Sequence, residues 1–222
     1  MAIIEAIYSR KSIRGYKPDP IPKETLAKVL EAAIRAPSGT NSQAWEITVV
    51  TGEALDNIKR GNIEMLASGA EPNPDVDLEP FSGVYRQRQI DLAIQIFKLM
   101  GITREDKEKR NAWFQKGYRF FDAPAAIILY ADRSVSEART QFDLGLIAQN
   151  ICLAAFHYGL GTCIEQQGIV YPDVVRKFTG IPKSKRITIS IAIGYPDWDF
   201  PANKLVSARE PLENVVTWCD YE

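Results

Sequence analysis

Histidine is almost missing from this sequence, with one residue, His157, in a chain of 222. That scarcity excludes an HExxH zinc site and a histidine-rich metal cluster. With no GxSxG elbow present, it also excludes a histidine-assisted serine nucleophile. His157 falls inside a helical pattern beside Tyr158 and Gly159, where a packed or surface role outweighs a catalytic one. Cysteine is scarce too. Cys152, Cys163 and Cys219 are widely spaced without a CxxC pair, which argues against a disulfide framework or a cysteine zinc site. No metal is expected. Charge of one sign is lacking, since the formal net charge is -1, so no field is available to hold nucleic acid or an anionic membrane non-specifically. Long apolar runs are lacking as well. The longest, 123–131, is far too short to cross a bilayer. The opening residues carry Glu5 within their only apolar stretch and have no small-residue cleavage site, so no signal peptide is read and a cytoplasmic location is expected. Demanding chemistry in such a chain falls to a cofactor.

What is present is the make-up of an ordinary globular protein, 45% hydrophobic and 25% charged. The length suits one core, so residues 1–222 are expected to form a single domain. Residues 3–9 read as a short helix. A second starts at Pro22, with Leu26, Val29, Leu30 and Ala33 on one face, and ends before Pro37. Residues 45–50 are rich in strand formers and close at Thr51-Gly52. Helical spacing follows over 53–66 and 84–100, the latter stopped by Gly101, and Thr103 with Asp106 forms a capping pair for a helix running toward Tyr118. Between them, 69–83 is an acidic, proline-bearing loop long enough to act as a lid. The continuous apolar run 125–130 suits a strand buried on both faces, and 187–193 is another strand candidate. An apolar helix over 141–158 and an extended segment over 162–166 lie between those strands. Few strands interleaved with longer helices predict an α+β fold with a small sheet between helical layers. The tail, 197–222, with Pro201 and Pro211 and an apolar end at Val215, Val216 and Trp218, suits packing on a partner subunit better than on its own chain.

Three polar constellations remain. Ser9-Arg10-Lys11-Ser12-Ile13-Arg14-Gly15-Tyr16 places three cations and a hydroxyl within a few residues, an arrangement that suits an anion, though a solvated basic turn has the same composition. Pro37-Ser38-Gly39-Thr40-Asn41-Ser42-Gln43-Ala44-Trp45 is a long polar series in which Gly39 removes bulk while Asn41 and Gln43 offer donors and acceptors to a flat ligand. Gly159-Leu160-Gly161-Thr162-Cys163-Ile164 follows a helix and has Ile164 at the third glycine position, so a dinucleotide fingerprint fails on context and on sequence. A glycine-ended helix entering an extended segment still offers the N–H groups of Glu165 and Gln166 to a ligand. The side chain of Glu165 is equally consistent with an ordinary polar strand residue.

Together these segments, with Gly194-Tyr195-Pro196-Asp197 and Arg209-Glu210-Pro211-Leu212 after them, resemble the nitroreductase family of FMN enzymes over most of the chain. The resemblance implies a three-layer α-β-α sandwich and an intertwined homodimer. It further implies a helical lid insertion at about 62–121 and a partner-wrapping tail at about 197–222. By the same resemblance the FMN phosphate is held by Arg10, Ser12 and Arg209, and Arg14 lies at the pyrimidine edge of the flavin, where positive charge favours the anionic reduced ring. Pro37, Ser38, Gly39 and Asn41 come from the partner subunit, and Ile164, Glu165 and Gln166 run near flavin N5 and O4. Ser207 stands where some members have a second basic residue, which hands part of the phosphate to Lys11 or Lys204. Some members have lysine at the position of Arg14. Tyr85, Arg86, Arg88, Phe120 and Phe121 are candidate walls of an acceptor pocket, with core packing the preferred reading for the two phenylalanines. The implied mechanism is ping-pong, with NADH or NADPH giving hydride to flavin N5 and a nitroaromatic, quinone or related acceptor then taking it, without a catalytic side chain. A non-catalytic flavin-binding protein, a reductive dehalogenase, an ene-type reductase and a flavin-fragmenting enzyme remain open alternatives.

Overall fold

The computed structural model of the protein describes residues 3–77 and 79–220, so Leu78 within the expected lid and the last two residues of the expected tail lie outside the described residues. The chain runs α1 (Ile3–Ser9), α2 (Lys23–Ala33), β1 (Trp45–Thr51), α3 (Gly52–Ala67), α4 (Gly83–Leu99), α5 (Lys107–Tyr118), β2 (Ala125–Asp132), α6 (Glu137–His157), β3 (Gly161–Glu165), α7 (Pro172–Thr179) and β4 (Lys185–Gly194). The four strands form one antiparallel sheet in the order β1-β2-β4-β3.

The alternation of side chains along β2 builds the layers. Ala125, Ile127 and Leu129 meet α2 and α6 on one face together with Ile191 and Ile193 of β4. Ala126 and Ile128 turn to the other face, where Leu55 and Ile58 of α3 and Val175 of α7 close a second core. A strand buried on both faces needs no polar alternation, which is why 125–130 reads as an unbroken apolar run. The result is the expected α-β-α sandwich.

Two helices differ from the sequence reading. α6 begins at Glu137, one turn before the apolar spacing becomes visible, because its first turn is polar and solvated, with the Thr140 hydroxyl donating to the Glu137 carbonyl. α7 has no counterpart in that reading, since eight residues are too few for a periodicity. Its end signals are nevertheless standard, with Pro172 at the start and Gly180 at φ 74° after the last turn. α3 approaches α7 so closely that a Cβ on Gly61 would lie 2.7 Å from Val174 Cγ1.

The acidic loop between α3 and α4 is tied down along its first half. Asn73 N–H donates to the Val170 carbonyl at 3.0 Å, and the Tyr171 hydroxyl donates to that of Ala70 at 2.9 Å. The buried carboxylate of Asp75 takes Arg176, Arg133 at 2.7 Å and the Ile187 N–H at 2.8 Å. These bonds make 70–76 a strap across α7 and β4, and any lid motion belongs to the chain beyond it. At the other end, Ala202, Asn203 and Leu205 are buried, and from Val206 onward the tail is largely exposed.

Candidate functional site

After α1 the chain runs along the outer edge of β3. Ser12 bridges Thr162 in parallel, Ile13 N–H donates to the Thr162 carbonyl at 2.9 Å, and Tyr16 bridges Pro196. Two glycines permit this approach. A Cβ on Gly161 would lie 2.6 Å from Ile13 Cγ1, and one on Gly15 would enter the Phe200 ring at 2.2 Å. The segment is fixed from behind by Asn203, which is 1% exposed. Its Oδ1 accepts from Arg14 N–H at 2.7 Å, while its Nδ2 donates to the carbonyls of Gly15 and Asp197, each at 2.7 Å. Sequence reading passed over Asn203, because a lone asparagine in a proline-punctuated tail carries no spacing signal.

Arg10 and Lys11 line a cleft of about 70 Å³ with Gly161, Thr162, Pro196 and Trp198. Lys11 Nζ sits 5.4 Å from the Trp198 ring centroid, and the Arg14 guanidinium carbon 5.9 Å from that of Phe121. Among the described residues none of Arg10, Lys11 and Arg14 has an ion-pair partner. The Thr162 carbonyl points away from β4 toward Ile13, and antiparallel alternation puts the peptide groups of Ile164 on the same outer edge. Ile164 is 40% exposed there.

Glu165 turns to the opposite face. Its Oε1 lies 2.6 Å from Ser190 Oγ, and its Oε2 accepts the Gly168 N–H at 2.8 Å. Ser190 Oγ is also 2.8 Å from the Glu165 carbonyl oxygen. Burial pushes the carboxyl up to about 7, against the hydrogen bonds from Ser190, Gly168 and Gln167. Burial likewise raises the Cys163 thiol to about 12, so it is no nucleophile at neutral pH.

The structure separates other candidates from this edge. Pro37, Ser38, Gly39 and Asn41 precede β1, and β1 and β3 are opposite edges of the sheet, three strand spacings or about 14 Å apart. Their loop is held by Ser38 Oγ, accepting from Gln43 N–H at 3.0 Å, and by Asp143, accepting from Gly39 N–H at 3.2 Å. Thr40, Asn41 and Gln43 have φ of 51°, 58° and 47°. Arg209 is exposed and turned back on its own segment, 2.8 Å from Ser207 Oγ. Gln166 Nε2 reaches the Thr188 carbonyl at 3.4 Å. Tyr85 and Arg88 are exposed on α4, with Arg88 5.7 Å over the Tyr85 ring and 2.9 Å from Glu210. Phe120 is fully buried and Phe121 nearly so, as the core-packing reading expects. Among the described residues no three acidic, cysteine or histidine side chains converge as a metal site.

The model of the family described as "Nitroreductase family" matches residues 7–195. The chain belongs to the nitroreductase family. Nitroreductase NfnB of Mycolicibacterium smegmatis is 31% identical over 86% of this chain and 81% of its own length. The nitrobenzene nitroreductase of Ectopseudomonas oleovorans is 30% identical over 97% of this chain and 96% of its own. Among solved structures, the FMN and NADPH-dependent nitroreductase NfnB from sphigopyxis sp. strain HMH superposes with a TM-score of 0.94 at 30% identity, covering all of both chains.

Against that family background the donor set fits FMN in kind. Unpaired guanidinium and ammonium groups beside a serine hydroxyl suit a phosphate. A third unpaired cation and an open peptide edge suit the polar rim of a flavin. The cleft itself has room for the phosphate end alone.

Proposed function

We propose that the protein is an FMN-dependent oxidoreductase, drawing on NADH or NADPH to reduce nitroaromatic, quinone or related acceptors, and that it acts as a homodimer with shared sites. The observation that carries this reading is the set of cations without ion-pair partners along the outer edge of β3. Arg10, Lys11 and Ser12 would hold the phosphate. Arg14, Ile164, Glu165 and Gln166 would border the ring, and Arg209 would join them from the tail. FMN, when bound, supplies reversible hydride chemistry at its ring. The protein's part is to bind, orient and stabilise charge, and the fixed cation at Arg14 favours the more negative state. The names of the relatives, which specify FMN, NADPH and nitrobenzene, support the same reading.

The homodimer rests on two supports. A folded monomer of this size exposes about 10,200 Å², whereas the chain alone exposes 13352 Å². The excess carries apolar side chains on α1 (Ile3, Ile4, Ile7), on α4 (Val84, Tyr85, Ile94), at Phe142 and along the tail (Leu212, Val215, Trp218). The second support is the placement of Pro37, Ser38, Gly39 and Asn41 at the far sheet edge, so that in each site they would come from the other subunit. Residues 62–121 would cap the acceptor pocket, with Tyr85, Arg88, Phe120 and Phe121 near it. No helix among the described residues is long and apolar enough to cross a membrane, and we place the protein in the cytoplasm.

The test is purification followed by anaerobic mixing with each nicotinamide and then with an acceptor panel. The reading expects a yellow protein whose FMN is bleached by NADH or NADPH and recoloured by a nitroarene or quinone. A protein that binds no added FMN refutes it. Bound FMN that neither nicotinamide reduces would favour a non-catalytic flavin-binding role instead.

A further inference from the structure

Phe120, Phe121 and Asp122 form a turn in which all three residues have positive φ, 53°, 53° and 61°. None is glycine, and each is disfavoured there by its own Cβ. The turn is held in place on every side. Phe120 is packed against Gly168 so tightly that a Cβ on that glycine would lie 2.5 Å from the ring. Asp122 takes Lys116 at 2.8 Å and Arg119 at 2.7 Å, and Lys59 Nζ donates to the Ala123 carbonyl at 2.8 Å. Asn62 Nδ2 joins the Tyr118 and Gly168 carbonyls at 2.9 and 2.8 Å. What this strained, over-determined turn delivers is the Phe121 ring, backed by Trp113 at 6.2 Å and lying under the guanidinium of Arg14.

Arg14 has its backbone fixed by Asn203, but its side chain has no carboxylate partner among the described residues, and its one polar contact is the Ser12 carbonyl at 3.5 Å. A planar guanidinium stacks on an aromatic face, whereas a lysine ammonium at the same place would be a mobile point charge. We propose that Phe121 is a positioning residue, a platform that holds the Arg14 charge at one place beside the flavin and thereby strengthens binding of the reduced cofactor over the oxidised one. The proposal rests on the FMN reading above and deepens it. It also accounts for arginine at position 14, because the platform rewards a flat cation.

The experiment compares dissociation constants of oxidised and reduced FMN for wild type, Phe121→Leu, Phe121→Tyr, Arg14→Lys and the double variant with leucine and lysine. In the FMN-free proteins, NMR reads the ring-current shift on the Arg14 side chain. Phe121→Leu should abolish that shift and lower the preference for reduced FMN roughly two- to fivefold, the range of a solvent-accessible cation–π contact. Phe121→Tyr, which keeps the ring, should retain both. In the Arg14→Lys background Phe121→Leu should add nothing, since the two residues act as one unit. A preference unmoved by Phe121→Leu, an Arg14 shift that survives it, or additive effects in the double variant each overturns the platform alone. A wild type that binds no FMN overturns the function and the platform's role together, and the two failures are thereby told apart.

Discussion

Replacing Asn203 with alanine gives the most direct test of how the candidate site is assembled. The side chain is buried, and it bonds three backbone groups, Arg14 N–H, Gly15 carbonyl and Asp197 carbonyl, each at 2.7 Å. Alanine leaves Arg14 N–H without its partner, while the Gly15 and Asp197 carbonyls keep the Asp197 and Phe200 N–H groups at 3.1 and 3.2 Å. A net hydrogen bond contributes about 1 kcal/mol, and an orphaned buried group costs about 1–3 kcal/mol, so the change should destabilise by roughly 2–4 kcal/mol. For a chain of this length about 2–4 °C is lost per kcal/mol, which puts the fall in the melting midpoint at roughly 4–16 °C. Asn203→Asp separates geometry from chemistry. It preserves the acceptor for Arg14 N–H but faces two carbonyls with no donor, so it should be no more stable than alanine at neutral pH. Differential scanning fluorimetry on FMN-free protein reads the fold. A midpoint within about 2 °C of wild type would refute the stapling role.

Three further outcomes follow from the same geometry. Because burial raises Glu165 to about 7, the folded state holds a proton that the unfolded state gives up near 4.5, so stability is full below about pH 4.5 and is lost as pH rises toward 7. Denaturant titrations of wild type and Glu165→Gln at pH 5 and pH 8 should show a pH-dependent gap of at most a few kcal/mol, and parallel curves would remove the buried-acid assignment. Arg209→Ala removes an exposed cation with only local contacts, so its melting midpoint should stay within about 1 °C of wild type while FMN affinity falls roughly tenfold or more, read by fluorescence titration. Unchanged affinity would remove Arg209 from the phosphate set. Gly161→Ala drives a methyl into Ile13 and Pro196, at 2.6 and 2.9 Å. It should destabilise by about 1–3 kcal/mol and weaken FMN binding in the same variant, and an unaltered midpoint would show that the edge yields freely.

The sheet was legible wherever burial is two-sided or bounded by turn residues. The run 125–130 and the segment 187–193 both fall inside strands of the central pair. The motif Arg10-Lys11-Ser12-Ile13-Arg14 stood out as a dense local run of charge, which alone fits an anion site or a solvated turn, and among the described residues the structure leaves those cations without ion-pair partners. Three features were not legible, each for a physical reason. Asn203 acts across 189 positions on Arg14, a separation no local pattern encodes. Asp75 sits in a segment that reads as a lid, yet its carboxylate is buried and bonded to two arginines distant in sequence, Arg133 and Arg176. Glu165 carries no sign in sequence of its unusual proton, because that property is made by burial beneath segments that only the fold brings together.

Two clusters of non-glycine residues with left-handed backbone share a logic that the composition hides. Glycine is the residue that fits positive φ without strain, yet Thr40, Asn41 and Gln43 at one sheet edge and Phe120, Phe121 and Asp122 near the other adopt it with side chains. Non-glycine residues in this region cost of order 1 kcal/mol or more apiece, and nothing in a plain helix-to-strand connection requires that expense. At the first edge the conformation presents Ser38, Gly39 and Asn41 to solvent, at a distance from the cations of the same chain. At the second it brings the Phe121 ring beneath one of those cations. On the proposed reading each edge is half of a binding surface, and a four-stranded sheet keeps the halves apart. Two copies related by a twofold axis would set the first edge of one against the second edge of the other, completing two equivalent sites at once. On this argument the strain at both edges is retained because it serves the assembled pair. Glycine at positions 40 and 41 should therefore leave the FMN-free fold as stable as wild type or slightly more so, while dimer and cofactor affinity fall together in sedimentation and fluorescence titrations.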